Sequence, residues 1–284
     1  MCMGCGCNAA GVTGCRIIDS PRERAIAVVT NSFIPCNGRY PLLITLSALL
    51  FTGAGTLGGL TAALTLTAVL LLSTAVTLLT SRLLSRTLFK GLPSSFTLEL
   101  PPYRTPQVGK ILIRSLLDRT VFVLGRAVVI AAPAGLLIWL LANLPVGDGT
   151  VLSLLSTALD PIGRFLGLDG VILLAFILGF PANEIVIPLI AMMYMAGGTL
   201  TDVGGAAALA PLFAQNGWNT ITLINTMLFS VFHWPCSTTC LTIWKETRSI
   251  KQTVLAVFLP TGIGVGLCLL TRLIAGILGL TVFS

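Results

Sequence analysis

The residues best equipped for chemistry in this chain are cysteines set beside helix breakers. Ile34-Pro35-Cys36 and Trp234-Pro235-Cys236 each place a thiol directly after a proline in an apolar run. Proline removes a backbone donor and clashes with the preceding turn, so each pair leaves carbonyl oxygens free beside a sulfur. A thiolate is a soft ligand suited to late first-row metals, and a divalent cation passing such a point would meet sulfur and oxygen together. Cys7 sits in a comparable glycine-rich break, Gly4-Cys5-Gly6-Cys7-Asn8. Cys236 and Cys240, four residues apart, share a face on a helix. The competing reading makes each thiol a small apolar packing residue, and Cys2, Cys15 and Cys268 are assigned to it. Cys5 and Cys7 lack a second ligand pair at zinc spacing, so no structural zinc centre is expected.

Two further groups bear on the same chemistry. Glu184, in Gly179-Phe180-Pro181-Ala182-Asn183-Glu184, is expected in the apolar core of the second half. A carboxylate there is a functional hypothesis by default, against an ion pair with Arg126 or Arg272. His233, the single histidine, reads either as an interfacial anchor or, three residues from Cys236, as a metal contact. Trp139, Trp218, Trp234 and Trp244 fit an interfacial aromatic belt. Enzyme signatures are missing: no lysine stands in a phosphate-binding Gly-x-x-x-x-Gly-Lys context, and one histidine gives a catalytic triad little support.

The elements that must position these residues are apolar. The chain is 55% hydrophobic and only 10% charged over 284 residues, against about 25% charged for an average soluble domain. That balance excludes a disordered or nucleic-acid-coating chain and predicts an all-α, polytopic helical membrane protein with broken or re-entrant helices. The net charge of +7 comes from basic residues in the gaps between apolar runs, where cytoplasmic loops carry them; no nucleic-acid partner is expected. Residues 40–81 hold no charge and contain Gly53-Ala54-Gly55, which predicts two helices joined by a tight turn, flanked by Arg39 and Arg82 on the cytoplasmic side. A cytoplasmic connector rich in proline follows, then a span at about 121–144 that carries Arg126. A loop with Asp148, Asp160 and Asp169 reads as exterior. Residues 171–198 read as two half-helices meeting at a break, residues 218–235 as a crossing, and 253–283 as one tilted span. The expected division is 1–90, a first repeat with a transmembrane hairpin; 91–119, the connector; and 120–284, a second repeat with the C-terminal helix.

The division rests on an internal echo. In each half a Gly/Pro-broken segment containing an asparagine (Asn8, Asn183) precedes a Pro-Cys pair. Paired broken segments in two halves are the best sequence pointer to a transport site at a repeat interface.

These segments resemble the ferrous iron transporter B family. Gly4-Cys5-Gly6-Cys7-Asn8, Arg22-Glu23-Arg24 and Pro35-Cys36-Asn37-Gly38-Arg39-Tyr40-Pro41 resemble its first gate. Glu99-Leu100-Pro101-Pro102-Tyr103-Arg104 resembles its connector, and Gly179-Phe180-Pro181-Ala182-Asn183-Glu184 with Trp234-Pro235-Cys236 its second gate. The resemblance implies a multi-pass permease of the cytoplasmic membrane. Its transported ion is Fe(II), it holds no permanent cofactor, and it is a transporter rather than an enzyme. The implied ion contacts are Cys7, Asn8, Cys36, Cys236 and Glu184, with Cys5, Cys240 and His233 as weaker candidates. Asn183 stands where the family usually has lysine, and the family's N-terminal GTPase domain and first membrane helices are missing. The implied partners are lipid, a chain carrying those missing parts, and a second copy of this chain. Two other classes remain open: a gate-fold transporter of a nucleoside or organic anion, and a non-transporting, thiol-based membrane sensor or scaffold.

Overall fold

A computed structural model describes residues 2–51, 57–89, 109, 113, 122–146, 149–195 and 205–279. Over these residues the protein is all-α apart from one two-stranded hairpin. The helices are α1 (Asn8–Gly14), α2 (Pro21–Thr30), α3 (Tyr40–Leu50), α4 (Gly58–Arg86), α5 (Phe122–Asn143), α6 (Val151–Phe165), α7 (Gly170–Leu178), α8 (Val186–Tyr194), α9 (Ala206–Gln215), α10 (Thr220–Phe232), α11 (Ser237–Thr247) and α12 (Ile250–Ile277). The hairpin pairs β1 (Pro145–Val146) with β2 (Gly149–Thr150). Asp148, the turn at Gly53-Ala54-Gly55 and nearly all of the 91–119 connector lie outside the described residues.

Among the described residues two helices are long and apolar enough to cross a membrane, α4 with 29 residues and α12 with 28. At 1.5 Å per residue each exceeds the hydrocarbon thickness of about 30 Å. The protein is therefore a multi-pass helical membrane protein, and α6 with α7 adds a third span if that bent pair is taken as one. The 11-residue α3 is too short to pair with α4 as a full second crossing. It is a half-helix, about 16 Å long, packed on α4. α7 and α8, of nine residues each, are likewise half-helices, and they meet at the 179–182 break as the glycine and proline there predict.

The acidic stretch after α5 holds a helix, α6, where a loop is expected from its charges. Its buried stripe runs Leu152, Ser156, Leu159, Gly163, Leu166, with Ser156 and Leu159 half-buried. The apolar residues Leu152, Leu155, Leu159, Ile162 and Leu166 recur at helical spacing, the period of an amphipathic helix, and the expectation of a loop weighs the charges instead of that period. The glycines serve a corner: α6 and α7 meet at 109°, and an added Cβ on Gly170 would lie 1.9 Å from the Ser156 carbonyl oxygen. Trp218 is another departure. It is buried, stacks on Phe213 with ring centroids 4.2 Å apart, and donates its indole N–H to the Tyr194 hydroxyl at 2.7 Å. Trp139 and Trp244 remain exposed, as an interfacial belt requires.

The main core joins both halves of the chain. Phe33, Phe176, Phe229 and Phe232 are fully buried in it, and Phe33 meets Phe232 edge-on at 6.2 Å. These rings lie a few residues before Cys36 and Cys236, so the packing that closes the core also fixes the two Pro-Cys segments against each other.

The α6–α7 corner yields a direct test. Gly170→Ala must push Ser156 and Asp160 backbone aside and should cost about 1–3 kcal/mol or more. Gly262→Ala, in α12 with nothing within 4 Å of an added Cβ, should leave stability unchanged or raise it by up to about 1 kcal/mol. Thermal unfolding of the detergent-solubilised protein compares the two; equal melting temperatures would remove the close-approach account.

Candidate functional site

Five helices start at a side-chain cap, while α3, α4, α8 and α9, like the segments at the breaks, start without one. Helices α2, α6, α7, α10 and α12 are capped by Ser20, Thr150, Asp169, Asn219 and Ser249, each accepting from a first-turn amide. The four segments that start at a break are capped by Cys7, Cys36, Ala182 and Cys236, and none makes a side-chain cap hydrogen bond. Serine, threonine, asparagine and aspartate are the usual caps because their oxygens satisfy the free amides. Cysteine at three of four breaks leaves those amides to other partners, and a helix N-terminus favours nearby negative charge.

The four breaks form two matching pairs. Cys7 and Ala182 have almost the same extended backbone, φ −151° and ψ 124° against φ −152° and ψ 117°. Within each half, the amide just after the Pro-Cys pair reaches back to the glycine-broken segment: Asn37 donates to the Gly6 carbonyl at 3.2 Å, and Ser237 to the Phe180 carbonyl at 2.9 Å. Between halves the packing is reciprocal. α1 packs on α11, and the turn Asn37–Arg39 packs on the turn Asn183–Ile185. Each break therefore touches the Pro-Cys segment of the other half, the exchange expected of a pair related by an approximate two-fold.

Side-chain amides fill the gaps that these breaks open. Asn31, fully buried, donates to the Asn8 carbonyl at 2.8 Å. The Asn8 amide, oriented to donate, reaches the carbonyls of Ile34 and Gly4, each at 3.1 Å. In the second half Asn183 Oδ1 lies 3.4 Å from His233 Nε2. His233 is buried, its Nδ1 lies 2.8 Å from the Ser230 carbonyl, and its ring lies against Phe176. Both ring nitrogens thus have protein partners, and the ring is interior rather than interfacial.

The sulfurs and the carboxylate take different depths. Cys36 is buried, Cys236 and Cys240 half-buried, and Cys5 and Cys7 exposed. Cys236 Sγ lies 3.2 Å from Thr239 Oγ1, and the Cys240 thiol reaches the Pro235 carbonyl at 3.5 Å. Glu184 is exposed rather than enclosed. Its carboxylate lies over Gly38, where an added Cβ would come within 2.7 Å of Oε1. Neither arginine considered for it is its partner among the described contacts: Arg272 donates to the Phe165 carbonyl at 2.6 Å, and the Arg126 side chain lies outside the described residues. Among the described residues no three His, Cys, Asp or Glu side chains converge as a ready metal site. Arg39 follows Cys36 by three residues and donates to the Trp234 carbonyl two residues before Cys236, so its guanidinium links the two Pro-Cys approaches.

Arg39 is the residue that sequence reading misses, since it is taken there as a cytoplasmic flank. It is 1% exposed. Its Nη1 donates to the carbonyls of Val231 at 2.6 Å and Ser32 at 3.4 Å, and its Nη2 to those of His233 and Trp234, each at 3.1 Å. The signal was available: a single basic residue three positions after a Pro-Cys pair, facing a long uncharged run.

With this geometry in hand, similarity to known proteins becomes informative. Residues 66–118 match the family described as ferrous iron transport protein B C terminus, and residues 124–249 match the gate family described as nucleoside recognition. The Fe(2+) transporter FeoB of Leptospira interrogans (serovar copenhageni) is 26% identical over 266 residues, covering 86% of this chain and 38% of that protein. FeoB of Synechocystis sp. is 27% identical over 261 residues, covering 91% and 40%. FeoB of Staphylococcus aureus strain MSSA476 is 27% identical over 272 residues, covering 92% and 38%. The chain thus spans about two fifths of the length of the curated relatives it matches. No solved structure matches it.

The two glycines that border the breaks should respond differently to an added methyl. Gly11→Ala meets Asn31 Oδ1 at 2.5 Å and would dislodge a buried amide, at about 1–3 kcal/mol. Gly38→Ala meets only the end of the exposed Glu184 side chain, which can swing away, so stability should hold within about 0.5 kcal/mol. Paired thermal melts check this; a Gly38→Ala variant as unstable as Gly11→Ala would mean that Glu184 is held rigidly.

Proposed function

Because the chain is a partial FeoB-like protein of the membrane, we propose that it is a permease subunit carrying Fe(II) across the cytoplasmic membrane. The observation that carries the reading is the placement of Cys7, Cys36 and Cys236 as uncapped helix starts in two reciprocally packed breaks. Fe(II) would exchange part of its water shell for these sulfurs, for the Glu184 carboxylate, for the Asn8 side chain and for break carbonyls. Conduction needs contacts weak enough for release, which dispersed donors at different depths can meet. Cys5 and Cys240, on the same segments, are auxiliary contacts in this reading, and His233 serves through its bond to Asn183 rather than as a ligand.

The two repeats, 1–90 and 120–284 joined by the 91–119 connector, form the gate in this reading. The remaining membrane helices and the nucleotide-hydrolysing domain would come from a partner chain, with lipid or a second copy of this chain covering the rest. Transport by this subunit needs no catalytic group of its own. The family description naming nucleosides supports one alternative solute, while the relatives matched along most of the chain are named for Fe(2+).

Uptake of radio-iron(II) by a bacterium lacking its own ferrous transporter, expressing the chain with its partner, tests the proposal. Wild type should restore uptake. Cys36→Ser with Cys236→Ser should reduce it about a hundredfold or more, the loss of about 3 kcal/mol of ion contact, and Glu184→Gln should reduce it by about tenfold. Unaltered uptake in the double variant would end the thiolate role, and nucleoside uptake with no iron uptake would favour the other solute.

A further inference from the structure

The helix break before Cys236 frees a set of carbonyls, and one side chain has taken them. The Arg39 guanidinium, from the first repeat, is held by the carbonyls of Val231, His233 and Trp234 in the second repeat and by that of Ser32. Among the described residues it has no carboxylate in ion-pair distance, so backbone dipoles alone offset its charge at close range. Its Nε is buried without an acceptor. Two buried hydroxyls on the same stretches, Ser32 and Ser230, also lack partners. The result is a cage of four carbonyls occupied by a tethered cation whose own hydrogen-bonding capacity is not filled. A purely structural clamp would be expected to use all its donors, since an unsatisfied buried donor is costly.

We propose that this cage is a cation site of the transport path and that Arg39 is its resident cation, withdrawing when a divalent ion takes the carbonyls. The site differs in chemistry from the cysteines, because its donors are all oxygens and suit hard and borderline cations. It explains why the carbonyls freed at a Pro-Cys break are not open in this state. It also gives the closed state a defence against monovalent leak, because a fixed positive charge sits where a stray cation would bind. The proposal rests on the permease reading, and the two can fail separately.

Membrane vesicles from cells expressing the chain with its partner would be tested for Fe(II) entry, by quenching of an enclosed dye, and for K⁺ leak. Folding of each variant would be followed by thermal melting and size-exclusion profile. Arg39→Gln removes the charge and most of the donors, and should raise K⁺ leak and resting Fe(II) entry by roughly tenfold, as expected for a closed state weakened by one decade. Arg39→Lys keeps the charge with three donors and should raise both by a smaller factor. A folded Arg39→Gln protein with unchanged or lower leak overturns the proposal. If Arg39→Gln does not fold, Arg39→Lys decides: a folded protein with raised leak supports the resident cation, and unchanged leak or a second failure to fold makes Arg39 a structural clamp. If wild-type vesicles pass no Fe(II), the permease reading falls, while K⁺ leak in Arg39→Gln still decides the cage.

Discussion

A broken helix inside an apolar protein must find partners for the backbone it exposes. In water the solvent would supply them; within a bilayer only the protein can, and each orphan group costs several kcal/mol. Four such breaks lie close together here, and the surrounding structure is organised around satisfying them. Asn31 covers Asn8, Asn8 covers Ile34 and Gly4, and Arg39 covers the second Pro-Cys approach. Gly4 and Gly11 are small because the Asn31 amide has to pass between the segments, an added Cβ at either meeting its Oδ1 within 2.7 Å. The fully buried Phe33 and Phe232 hold the two Pro-Cys approaches together, so the breaks, the amides and the core stand or fall as one unit.

The electrostatics of that unit oppose a simple cation hole. Uncapped helix starts present partial positive charge, and the buried guanidinium adds a full one. The proposed ion contacts Cys7, Cys36, Cys236 and Glu184 stand at or beside the same breaks. The field at the breaks therefore depends on where the guanidinium sits. Two unit charges at 4 Å interact by about 4 kcal/mol at an effective dielectric of 20, so a movement of the guanidinium by a few ångströms changes the site by an amount comparable to the binding of an ion. A preassembled triad of ligands would instead bind tightly and release slowly, and the described residues contain none.

The sequence made the breaks legible because proline and glycine act locally. The half-helices at the 179–182 break and the Pro-Cys starts follow from backbone chemistry within a few residues, and the long α4 and α12 from uncharged apolar runs. What stayed hidden depends on contacts distant in sequence. Arg39 reads as a flanking charge until Val231, His233 and Trp234, nearly two hundred residues away, are seen to receive it. Trp218 reads as interfacial until Phe213 and Tyr194 enclose it. The α6 helix was legible from the spacing of Leu152, Leu155, Leu159 and Ile162, and only its corner with α7 was not, because Gly163 and Gly170 reveal their role once the facing backbone is in place. Glu184 reads as enclosed because its neighbours in sequence are apolar, yet its head lies over Gly38 on an open face.

That open face bears on the proposed permease reading. Cys5, Cys7, Asn37 and Glu184 are exposed, while Asn8, Cys36, Arg39, Asn183 and His233 lie buried close to them in sequence or contact. Polar groups with this chemistry gain nothing from facing lipid, since a carboxylate in hydrocarbon is costly. Long leucines along α4, among them Leu60, Leu64, Leu71 and Leu78, are exposed in the ordinary way of a lipid- or helix-facing surface. The two surfaces therefore need different neighbours. The apolar one is satisfied by bilayer or another helix, and the polar one needs water or a protein wall that completes a passage. In the proposed permease that wall is the partner chain, and the surface it would cover is the one on which Cys5, Cys7 and Glu184 are exposed.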